Sequence, residues 1–211
     1  ATLRELIPRV HDIAKGAALM TGTTVTTKVY SGVSNLVGNL PLEQAMQAEF
    51  DKLGPVPFEK EDEAFAEEIR KTLTTEDIAA SFQRAGRQTP PELPLCDFVA
   101  PLDRPSHGGE GSTDVGDVSW VTPTVQARVA TCAVGTPFHT WQTVAQGKAP
   151  AAHKGMVHAA KVMAATATHL INSSETLKAA RDVHDKRQQT TPYVCPIPPN
   201  VKPPVIDEPL S

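Results

Sequence analysis

The segment VQARVATCAV, residues 125–134, decides the fold class that the sequence predicts. Both of its alternating faces are fairly apolar, as in a strand whose sheet is covered on both sides. Such sheets are typical of α/β proteins, in which helices cover the two faces. Residues 23–30 (TTVTTKVY), with alternating β-branched residues, and residues 95–99 (LCDFV) are further predicted strands. We therefore expect an α/β fold.

Apolar residues recur at helical spacing on either side of this segment. They predict helices over residues 3–20, 41–53, 59–73, 75–84, 154–171 and 174–187. The first of these contains Pro8, so that helix either kinks at the proline or begins near it. Residues 85–111 are predicted to form a long loop. The tail, residues 190–211, holds seven of the 19 prolines and is predicted to be an extended strap on the surface.

Composition excludes several classes of partner. The chain has 211 residues, a formal net charge of −4 and a mean hydropathy of −0.24. A mildly acidic chain lacks the basic surface that binds nucleic acid or anionic membrane, so we expect neither partner. No apolar run approaches the roughly 18 residues that a membrane-spanning helix needs. Three widely spaced cysteines (Cys96, Cys132 and Cys195) favour free thiols with a buried packing role, in the reducing cytoplasm.

One histidine lies where α/β proteins bind ligands. The segment GTPFHTW, residues 135–141, directly follows the predicted core strand and contains His139. Ligands and catalytic groups of α/β proteins gather beyond the carboxyl ends of strands, and a neutral imidazole there can bind zinc or manganese. The alternative is a loop histidine held by ordinary hydrogen bonds.

Two further stretches could bind a ligand. In the turn Gly111-Ser112-Thr113-Asp114, free backbone amides can bind an anionic group, or the turn can simply be capped without a ligand. Asn39, between Gly38 and Leu40-Pro41, can cap the next helix or present its amide to a ligand. The sequence contains no HExxH, GxSxG, Walker or GxGxxG motif.

Several segments together resemble the M20 family of metal-dependent amidohydrolases and peptidases. They are AKGAALMTGTTV (14–25), GSTDVGDVSWVTPTVQ (111–126) and AVGTPFHTWQTVAQGKAPAAHKGMVHAAKVMA (133–164). The HTWQ, AAHKGM and YVCPIPP stretches are similar to the aminobenzoyl-glutamate utilisation protein B group of that family, in its C-terminal part. The resemblance implies an α/β catalytic domain interrupted by a smaller α+β lid that often dimerises. Residues 1–39 would be the end of this lid, residues 40–189 the C-terminal part of the catalytic domain, and residues 190–211 its Pro-rich C-terminal strap.

The resemblance also implies roles for the residues singled out above. His139 matches the final metal ligand of the family, Gly111, Ser112, Thr113 and Asp114 match a turn beside the substrate, and Asn39 matches an asparagine that reaches the substrate. In a full-length family member two divalent ions, zinc or manganese, polarise the amide and activate water, while a glutamate moves the proton. The remaining ligands and the general base have no counterpart here, so we expect no catalytic residue in this chain.

Two functional hypotheses follow. The first is the C-terminal region of a metal-dependent amidohydrolase that cleaves an amide bond of an N-acyl or aminobenzoyl amino acid and is inactive without the rest of the enzyme. The second is a non-catalytic module of the same family that serves binding or subunit assembly. In either case we expect a homo-oligomer or a partner subunit, because the apolar face of residues 3–18 would otherwise be exposed.

Overall fold

The computed structural model describes residues 2–87, 92–103 and 112–201 and is helical. The chain divides into two compact units, one reaching to Ser34 and resuming at Val194, the other running from Asn35 to Tyr193. Helices account for 57% of the described residues, which contain no β-strand. They are α1 (Thr2–Thr21), α2 (Leu40–Leu53), α3 (Lys60–Arg70), α4 (Thr75–Arg84), α5 (Val115–Val121), α6 (Trp141–Gln146), α7 (Pro150–Asn172) and α8 (Ser174–Thr190).

The first unit consists of α1 and irregular chain. Helix α1 runs through Pro8, so it begins before the proline rather than at it. Its apolar side chains are largely exposed: Ile13 is 71% exposed and Leu19 and Met20 are each 84% exposed. None of the helices in the described ranges is long and apolar enough to span a membrane.

The core of the second unit is the packing of α2 against α7 and α8. Proline at the start of α2 and of α7 suits the first helical turn, where its missing N–H would be unpaired in any case. The side chains buried among these helices are small or aliphatic: Leu42, Ala45, Met46, Val162 and Ala180. A second cluster, formed by Ala66, Ile69, Leu95, Ala133 and Ala151, joins α3 and the start of α7 to the segments between helices.

An ion cluster ties α3 to α7. Lys154 Nζ lies 2.5 Å from Asp62 Oδ2 and 2.7 Å from Glu59 Oε2. Burial raises the pKa of the Asp62 carboxyl, but hydrogen bonds from Lys154 and from the Glu59 amide outweigh it and leave that pKa below its ordinary value. Hydrogen bonds to the carboxylates of Asp62 and Glu59 raise the pKa of Lys154. Both groups therefore stay charged at neutral pH.

The six predicted helices are confirmed, with at least one end shifted in each except α4, while the three predicted strands are wrong. Helices α5 and α6 were not predicted, because six or seven residues give too few turns for a periodic pattern. Residues 23–30, 95–99 and 125–134 form no strand in the described structure. A strand exists only when a neighbour pairs with it. The backbone bond from Val134 N to Pro94 O, at 2.9 Å, joins the third segment only to the residue before the second segment. The α/β class is therefore not confirmed.

The predicted division at residues 39/40 and 189/190 stays a prediction. The later part of the predicted strap, residues 202–211, and much of the predicted loop, residues 88–91 and 104–111, lie outside the described residues.

We predict that Gly155→Ala destabilises the second unit by about 1–3 kcal/mol, as overpacking of a tight contact does. A Cβ at Gly155 would lie 2.1 Å from the carbonyl oxygen of Ala130, which belongs to the backbone and cannot rotate away. The control is Gly147→Ala, whose new Cβ would have its nearest neighbour at 3.5 Å, an ordinary contact. Urea denaturation followed by circular dichroism measures both, and equal midpoints for the two variants would contradict the prediction.

Candidate functional site

His139 lies on a tight turn between the segment 125–132 and helix α6. Its φ of 63° places it in the left-handed region, which costs a residue other than glycine about 1 kcal/mol. The imidazole is exposed to solvent. Such strain persists only where the surrounding structure imposes it. Contacts with neighbouring residues must therefore hold this turn in place.

The side chain of Gln146, at the end of α6, holds the start of this turn. Its Oε1 accepts a hydrogen bond from Ala133 N at 2.7 Å, and its Nε2 donates to Thr136 Oγ1 at 3.0 Å. The Thr136 hydroxyl donates in turn to Ala133 O at 2.7 Å. All three residues are buried. This network satisfies polar groups that would otherwise be buried without partners.

The remainder of the turn is fixed by backbone contacts. Pro137 O accepts hydrogen bonds from the hydroxyls of Thr140 and Thr143, each at 2.7 Å. Gly135 has a φ of 97° and packs so closely on α4 that a Cβ would lie 2.9 Å from Ile78 Cα. His139 is therefore presented to solvent from a rigid backbone, which is the arrangement that a ligand-binding side chain needs.

His139 does not form a metal centre by itself. Among the described residues there is no group of three or more His, Cys, Asp or Glu side chains that could hold an ion, whereas a catalytic zinc has three protein ligands. The side chains beside it are apolar and exposed, with Phe138 at 72% and Val144 at 79%. The residues present therefore supply one ligand and do not fit a complete metal site.

The predicted substrate turn is described in part. Gly111 lies outside the described residues. Ser112 and Asp114 are exposed and Thr113 is half-buried, directly before α5. Thr113 Oγ1 accepts a hydrogen bond from Val115 N at 3.2 Å, while the Asp114 side chain makes no capping bond. The Asp114 carboxylate and the Ser112 hydroxyl therefore face solvent.

Asn39 caps helix α2 from a buried position. It is 2% exposed, its Oδ1 accepts from Leu42 N at 3.4 Å, and its Nδ2 donates to Ala180 O at 2.9 Å. Of the two roles the sequence left open, the structure shows the cap. Both ends of the amide are engaged within the chain, and a role toward substrate stays a prediction.

The structure brings two of the three predicted segments together. The chain before Asn39 is held to α5, which follows the Ser112–Asp114 turn, since Val37 N donates to Ser119 Oγ at 3.0 Å. Trp120 Nε1 likewise donates to Asn35 O at 2.9 Å. In the described residues no hydrogen bond links His139 to either of these segments.

Two cysteines are unsuited to nucleophilic chemistry. Burial is the largest influence on Cys96 and on Cys132, and it raises the pKa of each thiol. A thiol kept neutral is a weak nucleophile and a weak metal ligand. All three cysteines are free, as expected. Cys96 and Cys132 are half-buried, while Cys195 is exposed and does not have the packing role that the sequence predicts.

Gln146 is the residue at this site that sequence reasoning missed. A glutamine near the end of a short helix carries no local signal, because the groups it binds lie ten and thirteen residues away and become its neighbours only through the turn. The nearest sequence clue is the pair Thr136 and Thr140, one on either side of residues 137–139, whose hydroxyls favour turns.

The chain is similar to one subunit of the p-aminobenzoyl-glutamate hydrolase of Escherichia coli (strain K12). The two are 41% identical in an alignment 211 positions long that covers 95% of this chain. The chain spans 44% of the length of that relative. The similarity confirms the resemblance that the motifs indicated, and the partial coverage is consistent with a match to the C-terminal part of such a protein. No family model matches the chain, and no solved structure gives a significant match.

We predict that Gln146→Leu lowers the free energy of unfolding by about 2–3 kcal/mol, because it leaves buried polar groups without partners. The amide of Ala133 would lose its partner, and the Thr136 hydroxyl would lose the bond it accepts while still donating to Ala133 O. The control is Gln142→Leu on the same helix, whose side chain makes no hydrogen bond to the described residues and should change stability little. Urea denaturation compares the two, and a stable Gln146→Leu variant would show that the network does not hold the turn.

Proposed function

We propose that this chain is the C-terminal region of a metal-dependent amidohydrolase of the M20 type. Its substrate would be an amide of an N-acyl or aminobenzoyl amino acid, of the p-aminobenzoyl-glutamate kind. The observation that carries the proposal is the 41% identity, over 95% of this chain, to a p-aminobenzoyl-glutamate hydrolase subunit. Residues 1–39 would belong to the lid and residues 40–189 to the catalytic domain.

His139 would contribute one ligand to a divalent ion, zinc or manganese. The rigid turn that holds its backbone supports this role, since a fixed ligand loses little entropy when it binds a metal. The other ligands would come from polypeptide outside this chain. We therefore propose that the chain alone is inactive.

Ser112 and Asp114, which are exposed in the Gly111–Asp114 turn, would form part of the wall of the substrate-binding site. The Ser112 hydroxyl can donate a hydrogen bond to a substrate carboxylate or carbonyl. Asn39 would act indirectly. It caps α2, and the amide of Val37, two residues before it, is bonded to Ser119 on α5, the helix that follows the turn. The three free cysteines support a reducing, cytoplasmic setting for the enzyme.

We expect the chain supplied with Zn²⁺ or Mn²⁺ to release no p-aminobenzoate from p-aminobenzoyl-glutamate, since one histidine cannot hold a catalytic metal. A hybrid in which this chain replaces the matched region of the Escherichia coli relative should be active. His139→Ala in the hybrid should lower kcat/KM on the order of 100-fold or more, as the loss of a metal ligand does. His153→Ala, at another exposed histidine, is the control. Cleavage by the chain alone, or an active His139→Ala hybrid, would refute the proposal.

A second candidate function is subunit assembly without catalysis, and one observation favours it. Helix α1 exposes a stripe of large apolar side chains, which soluble proteins normally cover with a partner. Its members are Leu3, Leu6, Ile7, Val10 and Ile13. The relative is named as a subunit of a hydrolase. We propose that this face joins two copies of the chain or one copy to a partner subunit.

For the α1 stripe we predict self-association that Ile13→Gln weakens at least about tenfold in dissociation constant, corresponding to about 1.4 kcal/mol of lost apolar burial. Lys15→Gln is the control, because it introduces the same side chain at an exposed charged position on the other side of the helix. Light scattering over a concentration series measures both. A monomer at all concentrations would remove the basis for the assembly role.

A further inference from the structure

Helix α5, which directly follows the Ser112–Asp114 turn, is too short to hold its own shape. It has seven residues, and isolated helices of fewer than about 12 residues are marginal in water. Main-chain bonds join the turn to the helix. Gly116 N donates to Thr113 O at 3.1 Å, and Asp117 N donates to Asp114 O at the same distance. The contacts that hold α5 therefore also fix the position of the turn.

Tyr193, which follows α8 in the chain, holds α5 by two contacts. Its hydroxyl donates a hydrogen bond to Asp117 Oδ1 at 2.8 Å. Its ring lies against the indole of Trp120, with 6.4 Å between the ring centroids. A hydrogen bond to a carboxylate is about twice as strong as one between neutral groups. The Tyr193 hydroxyl is therefore well suited to fix a helix of two turns.

The carboxyl end of α5 is bonded to α8 as well. Trp120 O is one of the carbonyls that a helix leaves without a partner in its last turn. It accepts hydrogen bonds from His184 Nε2, at 3.2 Å, and from Gln188 Nε2. Gln188 Oε1 in turn accepts a hydrogen bond from Tyr193 N at 3.0 Å. The side chains of α8 therefore join Tyr193 and α5 in one hydrogen-bonded network.

The same helix is bonded to the start of the second unit. The bond from Trp120 Nε1 to Asn35 O spans 85 residues of sequence. The bond from Tyr193 to Asp117 spans 76. Asn35 is the first residue of the second unit and Tyr193 is the last. Helix α5 is therefore fixed by contacts with both ends of the unit, and of these contacts the one at Asp117 is closest in sequence to the turn.

We propose that Tyr193 is a positioning residue for the substrate. Through Asp117 and Trp120 it holds α5, and with α5 it holds the Ser112–Asp114 turn where that turn contacts the substrate. The inference rests on the proposed function for the identity of the substrate and for the role of the turn. Tyr193 acts through α5 and takes no part in the reaction, so it supports binding in the ground state and in the transition state equally. Loss of such binding raises KM and leaves kcat unchanged.

Amide hydrogen exchange in this chain tests the hold on the turn without any activity. Tyr193→Phe removes the hydroxyl and keeps the ring. The amides of Gly116, Asp117 and Val118 should then exchange at least about tenfold faster, as the loss of a bond to a charged group predicts. Tyr30→Phe is the matched control, because Tyr30 is exposed and its hydroxyl makes no hydrogen bond to a described residue. Exchange that is unchanged in Tyr193→Phe, or that rises equally in α2 and α7, overturns the proposal.

Kinetics of the hybrid with the Escherichia coli relative test the role toward the substrate. Tyr193→Phe should raise KM for p-aminobenzoyl-glutamate about tenfold and change kcat by less than about twofold, while Tyr30→Phe should change neither. In a Ser112→Ala hybrid the same Tyr193→Phe change should raise KM by less than about threefold, because the two residues serve one contact and their effects do not add. A fall in kcat at unchanged KM, or additive effects of Tyr193 and Ser112, refutes the proposal. A hybrid that is inactive with Tyr193 intact refutes the proposed function, and exchange then decides by itself whether Tyr193 holds the turn.

Discussion

The side chain of Gln146 pairs with a main-chain N–H group, as a neighbouring strand does in a sheet. Its amide accepts the hydrogen bond of the Ala133 N–H and donates one to the Thr136 hydroxyl, in a buried place where an unpaired group would be costly. The turn that follows can then close against α4 through Gly135. The strained backbone of His139 depends on this closure. The Gln146 side chain therefore fixes the position of the residue that is proposed to bind metal.

The rest of the second unit is organised by the same need to pair buried polar groups. Asn39 joins the start of α2 to the carbonyl of Ala180 on α8, and Glu49 on α2 bonds His169 on α7 at 2.9 Å. Both connect elements more than a hundred residues apart in sequence. The apolar packing of α2, α7 and α8 supplies the bulk of the stabilisation, while these bonds select the register in which the helices meet.

The sequence by itself determined six of the eight helices in the described residues, including α4, whose bounds match the prediction at both ends. Helical hydrogen bonds join residues four apart, so periodicity and caps such as Asn39 are enough to predict them. The sequence also singled out His139 as a candidate ligand, which stays a prediction, and gave the cap as one of two roles for Asn39. Its prediction of a strand over residues 125–134 was wrong, because a strand's hydrogen bonds go to chain elsewhere and an alternating apolar pattern does not show whether that chain is present. Only the tertiary structure decided that Gln146 holds the turn, since this depends on contacts between segments that sequence spacing does not encode.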